Sequence, residues 1–321
     1  MRRTTRTRAA VTLCAGAAAL TGCGVGAGDA PDEDVRLTVT RDFGARAVLA
    51  REQAEVRGAD TVMRVTQRNA KVGTRFGGEF VQSIEGVAGG RGDGRPVDWF
   101  IYVNGLQSDQ GAGAIDVRGG DRVWWDHHDW AVTPDIPAVV GSFPEPFLHG
   151  TNGTAPAAVR VRCADTNSAA CGDVADELEQ LGLNNVTTTG LDAGAGAAGA
   201  LALFVGPWSA LRGRVAEARE IEFGPRASGV FARFEDTGTR LEVLDERGRV
   251  ARPLGIGSGL IAATREGDRA PVWFVTGTDA AGVDRAAQSF DEDALKDRFA
   301  LAVAPLGDTL DVPLPDTGAG R

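Results

Sequence analysis

Residues 97–130, VDWFIYVNGLQSDQGAGAIDVRGGDRVWWDHHDW, hold four of the chain's six tryptophans and its only tyrosine. Trp99 to Val103 is an aromatic, β-branched run that suits a pleated strand, and Asn104-Gly105, a dipeptide that tolerates positive φ, closes it with a turn. After Gly119-Gly120-Asp121, the run Arg122 to Trp130 reads as a second strand of a hairpin-like unit. Side chains alternate across a strand, so Val123, Trp125, His127 and Asp129 share one face and Trp124, Asp126, His128 and Trp130 the other. A sheet with one buried face needs only one set of apolar groups. Indoles on both faces therefore mean either a strand buried on both sides, or a broad aromatic surface left for a ligand or a neighbouring domain. On the ligand reading the contact residues are Trp99, Tyr102, Asn104, Trp124, Trp125 and Trp130.

Upstream, Val35 to Thr40 alternates as a strand, Asp42-Phe43-Gly44 turns it, and Ala47 to Val56 makes a second strand or a short helix. Val62 and Val65 stand at helical spacing behind Asp60 or Thr61, either of which suits an N-cap. Val72 to Phe76 and Glu79 to Ile84 read as strands around Gly77-Gly78, followed by a glycine-rich loop from Gly86 to Gly94. That loop contains Arg91-Gly92-Asp93, a tripeptide that turns up readily by chance in a chain rich in arginine and glycine. The first module is thus small and mostly β, spanning residues 35–133.

Three pieces of it, GEFVQSIEG (78–86), WFIYVNG (99–105) and GDRVWW (120–125), resemble in that order the signature of the small β domain at the C-terminal end of transcobalamin and intrinsic factor, and of its bacterial lipoprotein relatives. The resemblance runs from about Val35 to Trp130. It implies a non-enzymatic module that, with a helical-barrel partner, covers a flat hydrophobic macrocycle, and so points to cobalamin or a related corrinoid as ligand. This chain encodes no helical barrel, and the Asp126-His127-His128-Asp129 tail departs from the vertebrate pattern.

The N-terminus supplies an address. Arg2, Arg3, Arg6 and Arg8 precede a short apolar stretch, Ala9 to Leu20, and then Leu20-Thr21-Gly22-Cys23. The stretch is too short to span a bilayer. Its end resembles the lipobox of bacterial lipoproteins, which implies a signal peptide over 1–23, lipid on Cys23, an acidic stalk over 24–34, and tethering at the extracytoplasmic face of the cell membrane. Export makes Cys163 and Cys171 a disulfide pair, since an oxidising compartment favours it and no CxxC or nearby histidine completes a zinc site.

From 134 to 156 the composition shifts to proline, glycine and threonine. This is a linker, although Ile136 to Leu148 is apolar enough to pack along a domain face. Beyond it, residues 157–315 alternate strands and helices. Val159 to Cys163, Leu201 to Val205, Ser228 to Phe234, Leu241 to Leu244, Gly259 to Thr264 and Val272 to Val275 read as strands. Val174, Leu178 and Leu181 stripe a helix ending at Gly182; Ser209 heads another towards Arg219; Ala280 to Phe290 and Glu292 to Arg298 complete the set, and residues 190–199 form a low-complexity loop. The fold class is α+β: the small transcobalamin-like domain followed by an α/β domain.

The formal charge of −10 speaks against unspecific nucleic-acid binding, which needs a basic patch to displace counterions. Chemistry is sparse. Residues 275–283 form a strand, glycine turn and helix start that can hold an anion or simply turn the chain. Gly206-Pro207-Trp208 presents an indole at a strand end or packs it. His127 with Asp129, or His128 with Asp126, makes half a metal site and no more. There is no GxSxG, no free cysteine in the mature chain if the disulfide forms, and His149 sits in the linker. The expected function is therefore non-catalytic: an envelope lipoprotein that captures a ligand, with cobalamin as the first candidate, for an importer or a helical-barrel partner. The alternative is an interaction protein that docks a protein or polysaccharide through its aromatic face. No cofactor is expected.

Overall fold

The computed structural model describes residues 33–75, 80–151, 153–156, 158–194 and 199–317. Cys23, the stalk up to residue 32 and the Gly77-Gly78 turn lie outside the described residues. The chain is mixed α and β, with several sheets.

The first module runs β1 (Arg36–Arg41), β2 (Arg46–Arg51), α1 (Val62–Asn69), β3 (Val72–Arg75), β4 (Phe80–Ile84), β5 (Val87–Ala88), β6 (Gly90–Gly92), β7 (Arg95–Val103), β8 (Leu106–Gln107) and β9 (Arg122–Asp129). Its main sheet has the order β2-β1-β9-β7-β6, with β8 paired to the end of β7. The aromatic strands β7 and β9 are antiparallel neighbours, pairing Ile101 with Trp125 and Tyr102 with Trp124. Asn104 and Gly105 take φ of 52° and 78°, as the turn requires. That turn leads into β8, and the chain reaches β9 only after the 108–121 loop. β3, β4 and β5 form a separate antiparallel sheet. Helix α1 starts where expected, with Thr61 accepting a hydrogen bond from the Arg64 amide at 3.4 Å.

The second module runs β10 (Val159–Cys163), α2 (Ala169–Gln180), β11 (Val186–Gly190), β12 (Leu201–Pro207), α3 (Trp208–Leu211), α4 (Ala216–Glu222), α5 (Pro225–Ser228), β13 (Ala232–Phe234), β14 (Leu241–Leu244), β15 (Val250–Leu254), β16 (Gly259–Thr264), β17 (Val272–Gly277), α6 (Ala280–Gln288), α7 (Glu292–Leu295), β18 (Ala300–Val303) and β19 (Thr309–Val312). Seven strands form one sheet in the order β11-β10-β12-β17-β16-β18-β19. β10, β11, β12 and β17 are parallel, and β16, β18 and β19 add antiparallel. Both faces of this sheet are covered at its centre, which is why β12, β16, β17 and β18 are apolar runs. Leu203, Val205, Trp273 and Val275 pack with Val174 and Leu178 of α2 and Val283 of α6. Phe204, Leu260, Ala262 and Phe274 pack on the other side with Phe234, Leu241 and Val243 of the β13-β14-β15 sheet. Cys163 and Cys171 are joined by a disulfide that ties the end of β10 to the first turn of α2.

Several local expectations need correcting. Ser209 heads no helix: Pro207 is the cap position, α3 stops at Leu211, and a second short helix starts at Ala216. The chain is helical through Ser228, and the strand begins only at Ala232. The helix behind Asp291 ends at Leu295. Strands β11, β15, β18 and β19 are not legible in the sequence because they are only four or five residues long and because β11, β15 and β19 carry exposed positions in place of an apolar pattern. The apolar stretch of the expected linker, Ile136 to Leu148, does pack on its neighbours, and more deeply than along a domain face. Residues 136–147 are buried throughout. Phe143 and Phe147 pack against Trp273 and Phe290 under the seven-stranded sheet, while Ile136 and Val139 belong to the core on its other side. Prolines exclude helix and ladder here, but they do not prevent burial of the apolar side chains between them.

The two modules consequently share one hydrophobic core, in which Phe43, Tyr102 and Trp124 of the first meet Phe231, Phe274 and Phe299 of the second. Their backbones come very close. A Cβ on Gly44 would lie 1.9 Å from the Asp297 carbonyl oxygen, and one on Gly141 would lie 2.5 Å from the Arg298 nitrogen. Glycine is required at both places.

Candidate functional site

The alternation of β9 is realised in full, and both faces are buried. On one, Trp125 is 2 % exposed and donates from Nε1 to Thr66 Oγ1 of α1 at 3.0 Å. On the other, Trp124 is equally buried and donates to Thr40 Oγ1 at 2.7 Å. Thr40 in turn donates to Asp126 Oδ2 at 2.5 Å. The Asp126 carboxylate also accepts from the Phe43 and Gly44 amides at 3.1 and 2.9 Å and lies 2.8 Å from His128 Nδ1. A fully buried carboxylate is tolerable only when its lone pairs are used, and these are.

The His128 ring is stacked between Phe43 and Phe100, with centroids at 4.5 and 4.3 Å. Phe299 of the second module meets this assembly edge-on, its centroid 5.2 Å from Trp124, 5.3 Å from Phe43 and 5.5 Å from both Tyr102 and His128. The aromatic cup is therefore filled by a ring of the same chain. Tyr102 is wholly buried, its hydroxyl has no hydrogen-bond partner among the described residues, and burial raises its pKa well above the usual phenol value, with Asp126 and Asp135 adding to the effect.

The expectation of an open aromatic face is thus corrected. Trp99, Tyr102, Trp124 and Trp125 are buried, and Asn104 is a bracket: its Nδ2 donates to Asp121 Oδ1 and the Gly150 carbonyl, and its Oδ1 accepts from the Arg122 amide. Trp130 alone among the six is exposed, at 38 %. The physical reason is that a neighbouring domain and helix α1 compete for the indoles, and burial within the chain incurs no association entropy.

The other sequence candidates also have packing roles. Trp208 is buried, stacks on Phe234 at 4.5 Å and donates to Glu222 at 3.2 Å. The turn before α6 is capped internally, Asp279 Oδ1 accepting from the Gly282 amide at 2.8 Å, so that amide is not open to an anion. His127 reaches the Ala88 carbonyl through Nε2 at 3.1 Å, and burial keeps its pKa below the usual imidazole value. Among the described residues no group of three or more His, Cys, Asp or Glu side chains is arranged to hold a metal. His149 is clasped between Glu145, 2.5 Å from Nδ1, and Glu33, 2.6 Å from Nε2, which pins the start of the described chain to the body.

Several clefts are open on the surface, among them one of about 520 Å³ around Glu145 and His149 and one of about 500 Å³ around Asp42 and Glu246; two others lie beside the aromatic strands. A small apolar pocket of about 160 Å³ is lined by Phe80, Val81, Trp99, Ile101, Ala112 and Trp125. Through Ser108 and Gln110, which line both, it adjoins a polar cleft of about 490 Å³ between the two modules. The first module contributes Gln107, Asp116, Arg118 and Asp121 to the cleft, and the second contributes Arg265 and Asp268. Burial raises the Asp121 pKa, against hydrogen bonds from the Arg118 amide and Asn104 that lower it.

Residues 59–129 match the model of a family described as a domain of unknown function, DUF4430. That family is transcobalamin-like. The matched segment begins just before α1 and ends with β9, so it contains both aromatic strands and the loop between them. No curated protein and no solved structure matches the chain. Sequence reasoning found the strands and missed the cleft. Ser108 to Arg118 carried no motif, and its partner residues Arg265 and Asp268 lie far away in the chain. The composition of the loop, which mixes Ser, Gln, Asp and Gly, was the one signal available.

Proposed function

We propose that this chain is a lipid-tethered protein of the cell envelope that binds a small ligand without transforming it, in the cleft between its two modules. The observation that carries this reading is the cleft itself. About 490 Å³ of polar-lined space between two modules that share a core is the size and situation typical of ligand sites. The tether rests on Arg2 to Cys23.

A corrinoid is the first candidate ligand, on the strength of the transcobalamin-like segment. A corrinoid carries a rim of carboxamides, and Gln110, Asp116 and Arg118 of the cleft carry donors and acceptors suited to such groups. The cleft would hold one edge of the molecule, leaving the other to a helical-barrel partner or an importer. The sealed indoles do not contribute a platform, so recognition would come from the polar cleft.

Equilibrium dialysis of the mature chain carrying Cys23→Ser against cyanocobalamin tests this. Retention of the corrinoid, abolished by Ala114→Trp at the exposed lining of the cleft, is the expected result. No retention by a folded protein would remove the corrinoid from consideration, and retention unchanged in Ala114→Trp would move the site elsewhere. The alternative, docking of a protein or polysaccharide through an aromatic face, has lost its motivating observation, because four of the five rings assigned to that face are buried.

A further inference from the structure

We infer that the pocket beside the cleft is a receptor for a single uncharged aromatic ring, so that the ligand of this protein carries such a ring next to its polar part. This rests on the reading of the cleft as the ligand site, and it names the chemistry of the ligand's buried end.

The walls are Trp99, Trp125, Ile101, Val81 and Ala112, with Phe80 at the rim, 42 % exposed. Both indole N–H groups are engaged outside the pocket's lining: Trp99 donates to the Val87 carbonyl at 3.1 Å and Trp125 to Thr66 at 3.0 Å. The indoles therefore offer the pocket carbon, and a guest there gains dispersion and edge or offset ring contacts in place of hydrogen bonds. A charged or strongly polar group would be desolvated without compensation.

Volume sets the size. A dry apolar cavity of roughly 150 Å³ accepts benzene, and this one measures about 160 Å³. One six-membered ring with a short substituent fits; a fused tricycle does not. Trp99 and Trp125, 8 % and 2 % exposed, offer a guest only a narrow accessible rim and no open face, and Phe80 supplies the exposed ring; contact of that kind favours a flat ring over a puckered one.

Ser108 and Gln110 set the direction. They stand where the pocket meets the cleft, and the Ser108 hydroxyl is occupied locally, donating to the Gln110 carbonyl at 3.2 Å and accepting from its amide at 3.1 Å. A substituent on the ring is thus led past this pair towards Asp116, Arg118 and Arg265.

The probe is 4-fluorobenzyl alcohol, followed by ligand-observed fluorine NMR with the mature Cys23→Ser chain. Saturable binding with a dissociation constant below about 1 mM is expected, a modest figure for nine heavy atoms. Ala112→Leu fills the pocket and should weaken binding at least tenfold. Phe80→Ala, at the rim, 42 % exposed, should weaken it several-fold in a chain whose circular dichroism is unchanged. Leu306→Ala, at a side chain 93 % exposed that lines neither the pocket nor the cleft, should leave it unchanged. Absence of saturable binding, or binding indifferent to both Ala112→Leu and Phe80→Ala, overturns the inference. Failure of cyanocobalamin with retention of the fluorinated alcohol would sink the corrinoid reading and leave the ring pocket standing.

Discussion

Replacing Phe299 by alanine removes the ring that the second module inserts into the aromatic cup of the first. Phe299 is 4 % exposed and makes edge-on contacts with Phe43, Tyr102, Trp124 and His128, all between 5.2 and 5.5 Å. Loss of a buried phenyl costs about 3–5 kcal/mol where the surroundings cannot collapse into the space. Collapse is hindered here: Asp126 and Thr40 hold the His128 and Trp124 rings in place, and Gly44 and Gly141 hold the two backbones in contact. The expected loss therefore lies in that range. It should appear in urea unfolding followed by tryptophan fluorescence and near-ultraviolet circular dichroism, with an altered aromatic signal in the folded baseline. Leu306→Ala, at a side chain 93 % exposed, is the control and should change stability by less than about 0.5 kcal/mol. A Phe299→Ala loss of under about 1 kcal/mol, with the aromatic spectrum intact, would refute the reasoning that a ring from the second module fills the cup.

Three further outcomes follow from the same structure. Asp126→Ala leaves Thr40, two backbone amides and His128 without their buried acceptor and should cost at least about 3 kcal/mol in thermal or urea unfolding; a cost near zero would mean that the network is not formed. Glu246 lies in a pocket with Asp42, Asp129 and Asp316, where burial first and these carboxylates next push its pKa up to about 7, against Arg95. Its folded-state pKa exceeds the ordinary glutamate value of 4.5, so the folded chain binds the extra proton between those two pH values. Stability from this group is then fully present below pH 4.5 and is lost as pH rises through about 7; Glu246→Gln should flatten that part of the pH profile measured by urea midpoint. Reduction of the Cys163–Cys171 disulfide, whose cysteines are eight residues apart, should lower stability by about 2–3 kcal/mol on loop-entropy grounds, compared by urea unfolding with and without reductant.

The sequence by itself determined the local elements of this protein. Alternation in residues 122–130 specified which side chains share a face, Asn104-Gly105 specified the turn, the Val174, Leu178, Leu181 stripe specified a helix, and the spacing and expected compartment of Cys163 and Cys171 specified the disulfide. These are short-range matters, decided by backbone geometry and by which residues tolerate it. Only the tertiary structure decided what covers each face. Nothing in β9 says whether Trp124 meets a ligand or Phe299, which is 175 residues later in the chain, because apolar surface is buried by whatever reaches it and carries no label for its partner. For the same reason the proline-rich segment around Phe143 proved to be core. The cleft was illegible too, since its two walls come from the 107–121 loop and from Arg265 and Asp268, and a concavity between modules exists only once they are docked.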